Sequence, residues 1–210
     1  MTGVQTCALP ISLTIDYILA PQSPWTYLGH ERFVDIANAA KAAVRVMPVD
    51  LGGKVFPVSG GLPLGQRAPQ RQAYRLVELA RFRDFLKLPL NIKPKYFPVP
   101  GDDAARLIIA VDLAHGAAAA LRLTGAVLAA VWAQERDIAD AATRAALLAE
   151  CHLAAQRADD ARAPEVQAVY ERYTQQAIAA GVFGSPSYVV DGEIFWGQDR
   201  LDLLARRLGV

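Results

Sequence analysis

Hydrophobic positions follow a strand pattern near both ends of the chain and a helix pattern between them. Residues 13–20 are rich in β-branched and aromatic side chains and are closed by Pro21, which predicts a buried strand. Apolar residues then recur at helical spacing after Ser23-Pro24, a common way for a helix to begin. Residues 43–49 form a second strand pattern. This strand–helix–strand order predicts a parallel pair of strands.

The middle of the chain is predicted to be helical after one interruption. A segment rich in glycine and proline, residues 51–69, is predicted to be a loop. Beyond it, apolar periodicity and abundant Ala, Leu, Arg and Glu predict helices at residues 72–86, 104–115, 118–135, 141–149 and 165–180.

The C-terminal pattern returns to strands. Residues 187–196 contain two β-rich runs joined by Asp191-Gly192, the strongest short signal for a hairpin, and a last helix follows Gly197. The whole order predicts an α/β protein with a thioredoxin-like fold that is interrupted by a large all-helical insertion. We expect residues 12–60 and 166–210 to form the thioredoxin-like domain and residues 61–165 to form the insertion.

Composition excludes several classes of protein. The chain has 210 residues, 53% of them hydrophobic, and a formal net charge of +1. A near-neutral chain without basic runs does not fit a nucleic-acid-binding protein, and its apolar content does not fit a disordered one. The longest apolar stretches are interrupted by charged residues, so no membrane span is expected.

Residues 1–11 do not resemble the start of a domain. They resemble the translation of a sequencing adapter, so we interpret them as non-native; a short natural leader is the alternative. Excluding them removes Cys7 and leaves Cys151, which has no partner for an intramolecular disulfide. A single thiol favours a reducing, cytoplasmic setting.

The first helix of a thioredoxin-like fold carries the reactive group at its N-terminus, where free amides and the helix dipole stabilise an anion. This chain has Ser23 and Thr26 at the two positions where a redox protein carries cysteines. It therefore cannot perform dithiol–disulfide exchange by itself, but a serine hydroxyl could stabilise a thiolate that a ligand supplies. The alternative is that Ser23 only caps the helix.

Two further segments are candidates for ligand binding. Ser185 precedes Pro186, where a cis-proline would face the first helix and present backbone groups to a peptide-like ligand, although a proline that opens an edge strand is also ordinary. Residues 196–200 lie at the start of the last helix, where Asp199 could pair with an ammonium group or serve only as a cap. The three histidines lack metal-ligand spacing, and no metal site is predicted.

Three motifs together resemble those of the 2-hydroxychromene-2-carboxylate isomerases, a family of the DsbA-like group that is related to kappa-class glutathione transferases. They are Ser-Pro-Trp-Thr-Tyr-Leu at residues 23–28, Gly-Val-Phe-Gly-Ser-Pro at 181–186 and Trp-Gly-Gln-Asp-Arg-Leu at 196–201. The resemblance implies a glutathione-dependent isomerase. It further implies that Ser23 activates the glutathione sulfur, that Ser185 pairs with the tripeptide backbone, and that its γ-glutamyl end is received by Trp196, Gly197, Gln198 and Asp199.

The same resemblance implies the chemistry and the substrate class. The glutathione thiolate would add reversibly to an aromatic or chromene-like carboxylate, and ring opening, bond rotation and elimination would follow. Lys54, Arg71 and Tyr96 match substrate-side positions, with Arg71 in place of a family lysine. Arg71 also belongs to a periodic set with Tyr74, Glu78 and Arg81, for which a salt-bridged helix face is the simpler interpretation. A homodimer is expected from the family.

Other functions remain open from the sequence. A kappa-class-like glutathione transferase or peroxidase would use the same glutathione site, and a non-catalytic thioredoxin-like binding module would use it only to capture peptides. Disulfide oxidoreductase activity is disfavoured because cysteine is missing at the start of the first helix.

Overall fold

The computed structural model describes residues 13–210, and the adapter-like segment 1–11 lies outside the described residues. The thioredoxin-like part begins with β1 (Thr14–Leu19), α1 (Pro24–Ala39) and β2 (Ala43–Pro48), and ends with β3 (Ser187–Val190), β4 (Glu193–Trp196) and α9 (Leu201–Leu208). Between β2 and β3 lie α2 (Phe56–Ser59), α3 (Pro69–Leu86), α4 (Asp102–His115), α5 (Ala117–Trp132), α6 (Ala141–Glu150), α7 (Arg157–Asp160) and α8 (Pro164–Ala179).

The four strands form one mixed sheet in the order β2-β1-β3-β4. β1 and β2 are parallel, whereas β3 is antiparallel to both of its neighbours. The hairpin between β3 and β4 turns at Asp191 and Gly192, which both have positive φ, 51° and 83°, as a tight two-residue hairpin turn requires. The predicted parallel pair, the hairpin and the α/β thioredoxin-like fold with helices inserted between its halves are all confirmed.

An aromatic cluster joins α1 to the sheet. Tyr17 of β1 lies opposite Tyr188 of β3 in the strand register, and their rings stack with centroids 5.5 Å apart. Phe33 of α1 packs on both rings, at 4.4 and 4.7 Å. All three side chains are fully buried, and such aromatic pairs stabilise a core beyond the area they bury. The cluster therefore fixes the position of α1 over the sheet.

The predicted loop at residues 51–69 is wrong in part. The chain forms a π-helical turn at Leu51–Val55, continues into α2, and forms a 3₁₀ turn at Leu64–Gln66 before α3. The Asp50 carboxylate accepts a hydrogen bond from the Gly53 N–H at 2.7 Å and starts the turn. A Cβ at Gly53 would lie 2.5 Å from that carboxylate, so the glycine that suggested a loop is what permits the helical start.

The end of α5 also differs from the prediction. The sequence pattern places it at residue 135, but α5 ends at Trp132. Glu135 adopts a left-handed conformation with φ of 53°, and the Arg136 N–H donates to the Ala130 carbonyl at 2.7 Å, which closes the last turn early. No helix within residues 13–210 is both long and apolar enough to span a membrane.

A buried histidine links α1 to the inserted helices. The His30 Nε2 lies 3.1 Å from the Leu121 carbonyl of α5, and its Nδ1 lies 3.1 Å from the Tyr17 hydroxyl. Because a carbonyl only accepts, Nε2 carries the proton and Nδ1 accepts from the tyrosine. Burial lowers the pKa of His30 from 6.5 to about 4, although the Leu121 carbonyl opposes this shift. The imidazole is therefore neutral at pH 7.

We expect His30 to make the fold sensitive to acid. The unfolded chain binds a proton at the ordinary histidine pKa and the folded chain does not, so stability falls as the pH drops from 6.5 towards about 4. His30→Gln removes this titration. The destabilisation that it causes at neutral pH should shrink in acid, by up to about 3 kcal/mol.

Urea unfolding of the wild type and of His30→Gln across this pH interval measures the difference. His115→Gln is the matched control, because His115 is exposed. A gap between the wild type and His30→Gln that stays constant with pH would contradict the assignment.

Candidate active site at the start of the first helix

Ser23 is the residue that caps α1. Its backbone is extended, with φ of −78° and ψ of 125°, and its Oγ accepts a hydrogen bond from the Thr26 N–H at 3.2 Å. Pro24, the first helical residue, has no N–H. The Trp25 N–H is thus the first-turn donor that neither the cap nor the helix uses. The position combines a hydroxyl, a free amide and the positive end of the helix dipole.

Ser185 lies directly against this helix start, in the segment that leads into β3. Its Oγ accepts a hydrogen bond from the Ala20 N–H at 2.8 Å and lies 3.0 Å from Thr26 Oγ1. The Ser23 hydroxyl in turn donates to the Ser185 carbonyl at 3.4 Å. The peptide bond between Ser185 and Pro186 is cis, as the sequence predicted. These contacts bring together two segments that are 159 to 165 residues apart in the chain.

The third motif, residues 196–201, is joined to the Ser185-Pro186 segment by a backbone hydrogen bond. The Gly197 N–H donates to the Pro186 carbonyl at 2.9 Å. The following residue, Gln198, packs against α1 so closely that a Cβ on Gly29 would lie 2.8 Å from the Gln198 Cβ. The three motifs that the sequence singles out are therefore neighbours in space.

The side chains of the third motif have different surroundings. Trp196 is half-exposed, and its ring packs on Phe183 with centroids 4.8 Å apart. Gln198 is 2% exposed, and its Oε1 accepts from Arg32 Nη1 at 3.0 Å. Its side chain therefore holds the turn in place rather than facing a ligand.

Asp199 keeps its carboxylate at the surface. Its Oδ2 pairs with Arg200 Nη1 at 2.6 Å, and both side chains are about half-exposed. Ion pairs that are this exposed contribute little stability. A ligand ammonium group could therefore replace Arg200 as the partner of this carboxylate at small cost.

The described chain offers no thiol at this site. Ser23 and Thr26 occupy the two positions of a redox pair, and Thr26 is fully buried. Cys151 lies at the C-terminal end of α6, where its Sγ is 3.9 Å from the Arg122 carbonyl. Burial raises the pKa of Cys151, so its thiolate form is disfavoured. Any thiolate chemistry at Ser23 must therefore use a sulfur that is not in residues 13–210.

One cavity lies beside the turn that precedes Ser23, and a second cavity adjoins the first. The first, about 210 Å³, is walled by Gln22, by the π-helical turn and by the start of α4. The second, about 420 Å³, lies between Lys54 and α8. They share Asp50 and Tyr170 in their walls. Lys54 thus lines the second cavity, and the first cavity lies between it and the turn before Ser23.

The other two predicted substrate residues lie elsewhere. Arg71 is exposed in the first turns of α3, and Tyr96 is half-buried in the segment between α3 and α4, with Lys95 Nζ 5.0 Å from its ring centroid. Within residues 13–210 no hydrogen bond or ion pair joins Lys54, Arg71 and Tyr96 to one another. The salt-bridged face predicted for α3 is wrong, because no ion pair joins Arg71 or Arg81 to Glu78 in the part of the chain that the structure describes.

A cation that the sequence analysis missed packs against a residue that contacts the turn before Ser23. Arg75 of α3 is 8% exposed, and its guanidinium lies 5.1 Å from the ring centroid of Phe97 and 5.7 Å from that of Trp132. The Trp132 indole N–H donates to the Gln22 carbonyl at 3.3 Å, next to Ser23. In the sequence, Arg75 is marked only by its i, i+4 spacing from Arg71. An ordinary polar helix face has the same spacing, so the pattern did not single out Arg75.

Arg75 has an unusual electrostatic setting. Its Nη2 is buried and has no acceptor, and no ion pair joins Arg75 to another residue of the described chain. Burial, together with the charge of Arg67, lowers the pKa of Arg75 to about 10. The guanidinium therefore remains charged at pH 7 without a counter-ion from residues 13–210. No group of three or more His, Cys, Asp or Glu residues in that range could hold a metal ion.

Comparison with known proteins places these features in a family context. A family model described as the DSBA-like thioredoxin domain matches residues 14–209. The chain is 27% identical over 192 residues to the 2-hydroxychromene-2-carboxylate isomerase of Sphingobium xenophagum, covering 91% of this chain and 95% of that protein. It is 26% identical over 200 residues to the protein of the same name from Pseudomonas putida, covering 94% and 95%.

The fold agrees with a solved structure as well. A structure of a 2-hydroxychromene-2-carboxylate isomerase matches with a TM-score of 0.78 and 22% identity, covering 93% of this chain and 94% of that chain. Together with the curated relatives, this match confirms the resemblance that the three motifs predicted.

Replacing the Ser185 hydroxyl should destabilise the whole site. Ser185→Ala leaves the buried Ala20 N–H without its acceptor and removes a partner of Thr26. We expect the free energy of unfolding to fall by about 1–3 kcal/mol, because an unsatisfied buried donor loses its solvation without compensation. Chemical denaturation measures this loss. Ser59→Ala, at an exposed position in α2, is the control, and equal stability of the two variants would contradict the role of Ser185.

Proposed function

The chain belongs to the family of DsbA-like thioredoxin domains, and from this premise we propose that it is a glutathione-dependent isomerase that acts on an aromatic or chromene-like carboxylate. One observation carries the proposal: a hydroxyl, that of Ser23, stands at the helix start where a redox member of the fold needs a thiol. The names of the curated relatives support the isomerase class.

The residues around Ser23 fit a peptide-like thiol. We expect the backbone of Ser185 to pair with the extended glutathione backbone. The surface carboxylate of Asp199 suits the γ-glutamyl ammonium group, and the start of the turn at Trp196 and Gly197 suits its carboxylate. Gln198 would contribute through its backbone, because its side chain is engaged with Arg32.

Bound glutathione would supply a thiolate that adds reversibly to the conjugated substrate and is eliminated after ring opening and bond rotation, so the net reaction is an isomerisation. The Ser23 hydroxyl now donates to the Ser185 carbonyl across 3.4 Å, which is long for a hydroxyl hydrogen bond. Turning this hydrogen towards sulfur therefore costs little. The Trp25 N–H and the dipole of α1 add to the stabilisation of negative charge at the same point.

The substrate would lie on the side of the inserted helices. Arg71 and Lys54 are the cations that the family resemblance assigns to substrate binding, and Tyr96 is the aromatic residue. Lys54 fits this role as part of a cavity wall that continues, through Asp50 and Tyr170, towards the turn before Ser23. The proposal includes a cytoplasmic homodimer as the working form of the protein.

Removing the Ser23 hydroxyl should abolish most of the turnover. We expect a loss of at least about tenfold, because a hydrogen bond to a charged atom is lost. Ser23→Ala also removes the helix cap, whereas Ser23→Gly keeps most of the capping stability and lacks the hydroxyl as well. Both variants should be equally inactive even though their melting temperatures differ. Isomer formation from 2-hydroxychromene-2-carboxylate with and without glutathione measures the effect, and titration calorimetry measures glutathione binding.

The source of the thiol can be tested separately. A chain with Cys7→Ser and Cys151→Ser should retain glutathione binding and glutathione-dependent turnover, because the sulfur comes from the ligand. Absence of glutathione binding at millimolar concentration would reject the proposal. Accumulation of a stable conjugate instead of an isomer would identify the protein as a transferase.

A further inference from the structure

We propose that Arg75 binds the carboxylate group of the aromatic ligand. The assignment rests on the proposed function for the identity of that ligand, but the recognition itself follows from the surroundings of one side chain. Arg75 is a buried cation in α3 that forms no ion pair within residues 13–210, and it lies against the tryptophan that contacts the turn before Ser23.

The first argument is electrostatic. Charged groups are rarely buried unless they are paired, because removing a charge from water is costly. The guanidinium of Arg75 lies on the rings of Phe97 and Trp132, which offset part of this cost, but the rings leave the in-plane N–H groups unused. One of these groups, at Nη2, is buried without an acceptor. A ligand carboxylate would supply the missing acceptor and counter-ion.

The second argument concerns shape. A guanidinium presents parallel N–H groups that match the two oxygens of a carboxylate. Phe97 and Trp132 flank the guanidinium, but Trp132 is fully buried, so a planar aromatic acid would contact the Phe97 ring while its carboxylate meets the N–H groups. Phe97 is half-buried, so the stack lies close to the protein surface. The combination favours an aromatic carboxylate over an inorganic anion.

The third argument is position. Trp132 lies 5.7 Å from the guanidinium by its ring centroid, and its indole N–H is bonded to the carbonyl of Gln22. Gln22 immediately precedes Ser23. A ligand held by Arg75 would therefore lie on the side of the site that the inserted helices form, and Arg75 would select acids among aromatic ligands.

The test uses two probes of nearly the same size and shape, the anionic coumarin-3-carboxylate and the neutral coumarin-3-carboxamide. Titration calorimetry with the full chain, without glutathione, gives the ratio of their affinities. We expect the wild type to prefer the carboxylate by about tenfold or more, as for a hydrogen-bonded charge pair. Arg75→Gln should abolish this preference. Arg81→Gln should keep it, because it removes the same charge from an exposed position on the same helix.

A conservative variant keeps the test decisive if Arg75→Gln does not fold. Arg75→Lys retains the charge but lacks the planar pair of donors. We therefore expect it to fold, and we expect the ratio of its affinities for carboxylate and carboxamide to fall by about threefold or more. Equal weakening of both probes by the Arg75 variants would show a structural role and overturn the proposal. A wild type without preference for the carboxylate would overturn it as well.

The outcome is independent of the glutathione experiment. If the probes behave as expected but glutathione does not bind, the proposed isomerase function fails and the carboxylate site stands. If glutathione-dependent turnover is found but Arg75→Gln and Arg75→Lys retain the preference for the carboxylate, the function stands and the assignment of Arg75 fails.

Discussion

The arrangement of the site depends on the hydroxyl of Ser185. This group accepts the Ala20 N–H at the end of β1 and contacts the Thr26 hydroxyl in the first turn of α1, while the Ser185 carbonyl accepts from Ser23. All of these groups are buried, so each would be costly to leave unpaired. The start of α1 therefore cannot shift without breaking several hydrogen bonds to a segment near the other end of the chain. A reactive position needs this rigidity, because stabilisation of a charge depends on donors that are already in place.

The same contacts explain how a thioredoxin-like scaffold could work without a cysteine pair. Thr26, at the second position, is fully buried and bonded to Ser185, so it supports the site rather than facing a ligand. Ser23 at the first position is 8% exposed, and the hydrogen bond that its hydroxyl donates to the Ser185 carbonyl is long, at 3.4 Å. One hydroxyl is thus structural and the other is adaptable. The division of roles follows from burial and hydrogen-bond length and not from the residue types, which are nearly the same.

The local rules of sequence reading recover the strands, the hairpin at Asp191-Gly192 and the cap at Ser23, because each depends on neighbouring residues. They fail where a tertiary contact decides. The glycine-rich segment forms a helical turn after Asp50, whose N–H donates to the Thr174 hydroxyl of α8 at 3.0 Å. Arg75 was missed for the same reason: burial distinguishes it from the exposed Arg71, and burial cannot be read from their spacing along one helix.

The two halves of the site would interact with a ligand in physically different ways. On the thioredoxin side, polar groups satisfy one another, and a ligand would only redirect hydrogen bonds that already exist, such as that of Ser23. On the insertion side, Arg75 is charged and its Nη2 is unsatisfied, so an anionic ligand would complete the hydrogen bonding of the folded chain. In the proposed function, the first half would bind the thiol ligand and could be shared by proteins with different substrates. The second half would discriminate between ligands, since a buried cation without an ion pair in residues 13–210 disfavours any ligand that cannot neutralise it.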